Sequence, residues 1–409
     1  MSTKAHKIRL NPTPEQAQYF LRAAGVARFA WNWALAEYKR LKADRQKADW
    51  NQMKKDFRVR SHAEFSFVRE VTKCAAEEGI ADLRRSISTY YKTKPQNRKC
   101  KFPGFRKRSR RIGSFGLAND KFSLDGHTVR IPKLGMVNMA EPVRFAGKIL
   151  SGRVTERAGH WYLTVTVEAE NEQRQGSKDS VGIDFGLKAF AMLSNGEVVK
   201  TQGYFRKAEQ RLRGLQRGLS RKKRGLQNYR KWKQKIARAH ERIRCQRQDF
   251  LHKFTSDVVS RFGVICIEDL NLKGLHQTRL AKSFADAGIG EAVRQLGYKA
   301  EWWGRWVQRV DRFFPSSRLC SVCGWTHETL TLSERQWTCG GCGSVHDRDE
   351  NAAKNINLEG GRLLAGSGYV RVTPVDGEAL VVAAAATKLH PDEAGTNVWR
   401  DFHVLSQER

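Results

Sequence analysis

Nowhere does this sequence offer the run of roughly 20 apolar residues needed to span a bilayer. Its longest, ALVVAAAA around Ala379, is too short. No apolar signal region follows Met1, so a reducing cytoplasm is the expected compartment. Acids are scarce: 42 Asp and Glu stand against 75 Lys and Arg among 409 residues, a net charge of +33. That excess costs self-repulsion in a compact state, so a polyanionic partner is expected. With no membrane span, nucleic acid is expected ahead of an anionic lipid surface. The length predicts two to four domains, and no internal repeat is visible.

Cysteines with a pattern are also few. Cys74, Cys100, Cys245 and Cys266 are scattered and expected to pack or do nothing. Cys320, Cys323, Cys339 and Cys342 spell C-x2-C, fifteen residues, C-x2-C. Each knuckle aims two thiolates at one point, and two knuckles complete a tetrahedral all-sulfur site suited to Zn²⁺. Four thiolates leave no open position, so the zinc is expected to be structural, with an iron–sulfur cluster as the minor alternative.

The positive charge is unevenly spread. KPQNRKCKFPGFRKRSRR interleaves Lys99, Lys101, Arg106, Lys107, Arg108, Arg110 and Arg111 with Phe102 and Phe105. Cations there neutralise phosphates and rings stack on bases or sugars. From Phe205 to Phe250, Lys and Arg outnumber Asp and Glu seventeen to three. Intrahelical ion pairs cannot absorb so one-sided an excess, so phosphate contact is expected there too.

Upstream, HKIRL reads as a strand and NPTPEQ as a helix start with Thr13 as N-cap, the helix running to about Lys42. Trp31 and Trp33 are read as packing anchors. A second helical stretch covers roughly Phe65 to Tyr91. Ser114 to Glu168 reads as short strands, with an Asp125-Gly126 hairpin and a half-buried HWYLTVTVE, hence a small barrel.

Three acids sit where a carboxylate is costly. Asp184 lies inside the apolar strand VGIDFG, and Glu268 ends the apolar run VICIE. HDRDEN supplies a third, Asp347 or Asp349, where a helix should begin. If the first two strands are adjacent and parallel, the acids meet and could hold two hard cations such as Mg²⁺. Two such ions activate water and stabilise the leaving oxygen in phosphodiester cleavage.

GIDFG, IEDL, FPSSRLCSVCG, LSERQWTC and HDRDENAAKNI, in that order, resemble the TnpB family of transposon-encoded RNA-guided nucleases, relatives of the compact type V CRISPR effectors. The resemblance covers roughly residues 5 to 360. It implies a multidomain α/β chain with an RNase H-like RuvC nuclease domain, an inserted zinc ribbon, a small wedge β-barrel and a helical recognition domain. The implied boundaries are residues 1–10 and 101–172 for the oligonucleotide-binding-like barrel and 11–100 for the helical domain. The nuclease domain would take 173–313 and 344–360, and the zinc ribbon 314–343; apart from the resemblance, the composition change after Leu358 predicts a weakly ordered tail, 361–409. The resemblance implies Asp184, Glu268 and Asp349 as catalytic, Mg²⁺-binding acids, and Cys320, Cys323, Cys339 and Cys342 as zinc ligands. It further implies an omega RNA guide, double-stranded target DNA opened beside a short adjacent motif, and a monomeric ribonucleoprotein in a bacterial cytoplasm, at the nucleoid when bound to DNA. KSFADAGIGE, Lys282 to Glu291, matches a family segment near the active site with an implied lid role. The alternatives are a guided repressor that does not cut, a transposase-type strand transferase and an unguided resolvase.

Overall fold

The computed structural model describes residues 1–95, 100–107, 113–171, 179–331 and 333–366, and the backbone of 371–375 and 378–382. Lys99, Arg108, Arg110, Arg111 and most of the expected tail lie outside the described residues. The chain divides into two units, Met1–Glu170 and Asn171–Arg409.

In the first unit β1 (Ser2–Asn11) precedes three helices, α1 (Pro14–Ala43), α2 (Trp50–Ala63) and α3 (Lys73–Thr93). Six strands follow: β2 (Ser114–Ala118), β3 (Ser123–Asp125), β4 (Thr128–Ile131), β5 (Gly135–Met139), β6 (Lys148–Arg157) and β7 (His160–Ala169). They form one antiparallel seven-stranded sheet in the order β2-β6-β7-β1-β5-β4-β3. Strict alternation puts Trp161, Leu163, Val165 and Val167 on the buried face of β7. Gly126, at φ +48°, lets the chain turn between β3 and β4. Thr13 caps α1 through a reciprocal box, accepting from the Gln16 amide while the Gln16 side chain accepts from the Thr13 amide. Trp31 is buried, and Trp33 meets Phe57 edge-on at 5.2 Å.

Sequence periodicity does not single out α2. It shows few apolar residues, yet Met53, Phe57 and Ser61 lie four apart and are buried, with Asp49 capping its start.

The second unit opens with β8 (Ser180–Phe185), β9 (Ala189–Leu193) and β10 (Val198–Lys200). The basic stretch is a pair of helices, α4 (Tyr204–Ser220) and α5 (Gln227–Arg261). Then come β11 (Val264–Glu268), the short helices α6 (Leu272–Leu275) and α7 (Ala281–Ala287), α8 (Ile289–Trp303) and β12 (Trp306–Val310). The five-stranded sheet runs β10-β9-β8-β11-β12, antiparallel at its first two pairings and parallel at the last two. The β8 and β11 strands are adjacent and parallel, Ile183 beside Ile267. WVQRV was not expected as a strand; its polar Gln308 and Arg309 hide an edge strand that pairs with β11 on one side only.

Two small strands, β13 (Gln336–Thr338) and β14 (Val345–Asp347), precede α9 (Arg348–Gly366). The composition change after Leu358 predicts an end to the folded part near residue 360. Instead α9 continues to Gly366, because Gly360 and Gly361 are buried where the helix meets the sheet. A backbone hairpin, β15 (Arg371–Val375) and β16 (Glu378–Val382), follows.

The approach of α9 to the sheet is unusually close. A Cβ at Gly182 of β8 would stand 2.1 Å from the Ala353 carbonyl oxygen, and one at Gly360 would stand 2.3 Å from Cys266 Sγ. Ala352, Ala353 and Ile356 are buried in the same seam. Backbone cannot yield as a side chain can. Gly182→Ala is therefore expected to destabilise the second unit by about 3 kcal/mol. Gly214→Ala, with nothing within 4 Å in the exposed α4, should instead stabilise by up to about 1 kcal/mol. Denaturant midpoints of the two variants check both signs.

Candidate active site and four-cysteine centre

In β8, Val181, Ile183 and Phe185 are core residues, and Asp184 lies between them, partly buried. Glu268 is the last residue of β11, with Val310 of β12 opposite it. Both acids therefore stand at the carboxyl ends of parallel strands, the edge where open α/β sheets place their ligands. Asp349 lies in the first turn of α9, the helix packed on that sheet.

These three acids act on one another. Burial first, then the charges of Glu268 and Asp349, push Asp184 up to about 7, with Arg348 and Arg335 pulling the other way. Glu268 is raised by burial and by neighbouring Asp269. Asp349 spends both oxygens on Arg335 Nη1, each at 3.0 Å, with Arg348 Nη2 at 3.4 Å from one of them. Asp269 is held by Arg309 and Arg312.

Asp347 does something else. Its Oδ1 accepts from the amides of Asp349 and Glu350 at 3.0 and 3.1 Å, capping α9. The two aspartates of HDRDEN thus separate into a helix cap and a residue whose charge reaches Asp184.

The four cysteine sulfurs lie within 4.8 Å of one another. Cys320 and Cys342 are 3.7 Å apart and Cys323 and Cys339 3.5 Å, close to the edge of about 3.8 Å that a tetrahedron of zinc–sulfur bonds would have. The cluster could hold a metal ion. Among the described residues it is the one group of three or more metal-ligating side chains gathered so tightly. His346 Nε2 lies 3.1 Å from Cys320 Sγ, and the amide of Gly341 donates to Cys339 Sγ.

Sequence reasoning missed the parts that tie the two sites together. Asn351 and Asn355, four apart on one face of α9, are both buried. Asn351 Nδ2 donates to the Leu319 carbonyl while its Oδ1 accepts from the Ser321 amide. Asn355 Nδ2 donates to the carbonyls of Ser316 and Leu319. They clamp the segment entering the first knuckle. The i, i+4 asparagine pair beside small residues was the available signal. Arg335 and Arg348 were legible only as charges.

Of the residues from Lys282 to Glu291, Lys282 pairs with Glu209 of α4 at 2.6 Å. Asp286 accepts from the amides of Phe205 and Arg206 at the start of α4.

Three family profiles match the chain. Residues 162–279 match a family described as "Probable transposase", residues 290–356 a "Cas12f1-like, TNB domain", and residues 1–47 a "Helix-turn-helix domain". A "Putative RNA-guided DNA endonuclease" of Streptomyces pristinaespiralis is 32% identical over 375 residues, covering 87% of this chain and 89% of that protein. This chain belongs to the TnpB family. "Putative RNA-guided DNA endonuclease InsQ" of Escherichia coli (strain K12), a second relative, is 29% identical, with 88% and 93% of the two chains covered. Among solved structures, the one titled "Cryo-EM structure of the Cas12f1-sgRNA-target DNA complex" shares the fold, with a TM-score of 0.55 at 14% identity over 84% of this chain and 83% of that one. The TnpB chain is thus a multidomain α/β protein with mixed sheets. In it, the stretch matched by the helix-turn-helix profile is strand β1 followed by the single long helix α1. No helix among the described residues is long and apolar enough to cross a membrane.

The raised Asp184 carries a stability consequence. Between about pH 4 and pH 7 the folded protein keeps a proton that the unfolded chain has released. Folding then takes up a proton, so metal-free stability falls as pH rises through that window. Asp184→Asn should remove the fall, leaving the variant about 2–4 kcal/mol more stable than wild type near pH 8 without divalent ions. Chemical denaturation at stepped pH checks it; parallel wild-type and variant curves would show that Asp184 ionises freely.

Proposed function

We propose that this TnpB-family chain is an RNA-guided DNA endonuclease that cuts double-stranded target DNA, using a divalent-metal site made by Asp184, Glu268 and Asp349. The reading is supported by the placement of Asp184 and Glu268 on adjacent parallel strands and of Asp349 on the helix packed against that sheet, with Asp184 pushed up by burial and by the charges of the other two. Such an arrangement fits a hard cation: its donors are carboxylate oxygens, and the arginines that meet its negative charge pair with Asp349. When bound, two Mg²⁺ ions would supply an activated water and stabilisation of the leaving oxygen.

The chain's own groups set the rest. Partial burial of Asp184 and Glu268 makes their charges costly to leave unmet. Arg335, now on Asp349, is a charge that can pass to a phosphate when the acid takes a cation. The one-sided basic charge of α4 and α5 suits the backbone of a guide–target duplex, with base pairing reading the sequence.

In this reading β8 to β12 with α5, α8 and α9 are an RNase H-like RuvC domain, and residues 314–343 a structural zinc ribbon inserted in it. The first unit supplies a wedge barrel from its sheet and a recognition domain from α1 to α3. The guide is an omega RNA and the particle a monomeric ribonucleoprotein of the bacterial cytoplasm, at the nucleoid when bound to DNA.

The test is to purify the protein with its bound RNA, sequence that RNA, and present plasmids carrying the matching target. Wild type should linearise them with Mg²⁺, and Asp184→Ala should retain RNA and target but leave the plasmid intact. Absence of a discrete RNA would end the guided reading, and joined rather than freed strand ends would make the protein a strand transferase.

Two further variants separate roles. Asp349→Ala should bind target and fail to cut. Asp347→Ala should lose a cap worth about 1 kcal/mol and go on cutting; the reverse pattern in the same plasmid assay would exchange the assignments. Cys320→Ser should lower zinc content measured by atomic emission and loosen residues 314–343 while the first unit still melts cooperatively. Wild type without zinc would sink the ribbon.

A further inference from the structure

In the first unit, α1 and α3 leave a cavity of about 340 Å³ whose walls are aromatic and cationic. Rings come from Tyr38, Tyr90, Tyr91 and Phe102, charges from lysines 39, 42 and 94, and no carboxylate lines it. The volume falls within the span of small-ligand sites, about 300–1,000 Å³. Its rings are ordered: Trp50, Tyr38 and Phe102 form a column, with centroids 5.7 and 6.1 Å apart and planes 16° and 26° from parallel. Tyr91 is 45% exposed. Lys42 Nζ donates to the Tyr91 hydroxyl at 3.3 Å and lies over the Tyr91 and Phe102 rings. Lys94 lies over Tyr90.

A second, separate hollow lies along α3. Arg84, Ser88 and Lys92 follow one another at four-residue spacing beside the small Ala81. The adjacent Arg85 is committed to Glu78 and Asp82. The combination is therefore a ring-lined pocket with ammonium groups at its wall, and a row of donors on the preceding turns of the same helix. Flat π-faces take any base, and lysines without an acid nearby take its phosphate.

We propose that this cavity binds one unstacked nucleotide of a single strand, base against Tyr91 and phosphate between Lys42 and Lys94, with the adjoining backbone along Arg84, Ser88 and Lys92. The proposal rests on the reading that the partner is nucleic acid. The bland account of the same residues is that rings and lysines only fasten residues 100–107 to α1 and α3. That account predicts changes in melting and none in binding.

The experiment uses the full chain stripped of bound nucleic acid. Short single-stranded RNA and DNA oligonucleotides, each carrying one 4-thiouracil or 4-thiothymine base, are crosslinked by near-ultraviolet light and mapped by mass spectrometry. Crosslinks should fall on the peptide holding Tyr90 and Tyr91, and the arm that gives them identifies the strand as RNA or DNA. Tyr91→Leu should weaken binding about tenfold with an unchanged salt dependence. Tyr91→Phe should keep the affinity. The double variant Lys42→Gln with Lys94→Gln should instead flatten the slope of log affinity against log salt by about 0.7 for each phosphate no longer neutralised. Wild-type binding with crosslinks only elsewhere, or with Tyr91→Leu equal to wild type, would overturn the site and leave the wider reading standing. Failure of wild type to bind either strand would overturn both.

Discussion

Helix α9 rests on its sheet by backbone contact, and nearly everything at the candidate site depends on that contact. Glycine at 182 and at 360 is the only residue type that permits it, since any Cβ would meet a carbonyl oxygen or a buried sulfur. The approach fixes the depth and rotation of the helix. Rotation aims Asp349 toward the strand ends that carry Asp184 and Glu268, and it turns Asn351 and Asn355 toward the chain entering the first cysteine knuckle. A helix standing one methyl group further out would keep its hydrophobic seam only by losing this aim.

Charge sets the second constraint. All three carboxylates are partly buried, and burial first, then the charges of Glu268 and Asp349, leave Asp184 holding its proton to about pH 7. Arg335 and Arg348 relieve Asp349 without reaching the whole cluster. The site is therefore poised between three ways of meeting one negative surplus: a proton, an arginine or an external cation. At the scale of the chain the sign is reversed, with 33 surplus positive charges that only a polyanion can meet. In the function proposed above, a phosphodiester partner with a divalent cation would satisfy both imbalances together.

What was legible in the sequence follows physical lines. Alternation and turn residues marked β7 and the Asp125-Gly126 hairpin, because strand period and glycine turns are local properties. Spacing alone marked the sulfur cluster. Asp184 and Glu268 stood out because acids inside apolar runs are costly. The helix α2 and the edge strand β12 were not visible. Each buries only part of a short, polar segment, and tertiary neighbours rather than local pattern decide its form. The end of α9 was misplaced for a related reason: Gly360 and Gly361 read as a break in composition, whereas their lack of a side chain is what lets the helix stay on the sheet. Pairing of Asp349 with Arg335 depends on a fold that returns residue 335 to the start of α9, which no window of sequence contains.

The sulfur cluster and the acid cluster are therefore not independent. Cys342 is followed directly by β14, whose last residue Asp347 caps α9, and the next turn carries Asp349. Across the hairpin, Gln336 faces Asp347 in register, so Arg335 on β13's approach is delivered to Asp349 by the same two-stranded pairing. On the other side, Asn351 and Asn355 hold the strand of chain that leads into Cys320. A metal among the sulfurs would fix both ends of this loop, and through it the cap, the arginine and the acid. The four-cysteine cluster is in this arrangement a part of what holds Asp349 against the sheet that carries Asp184 and Glu268.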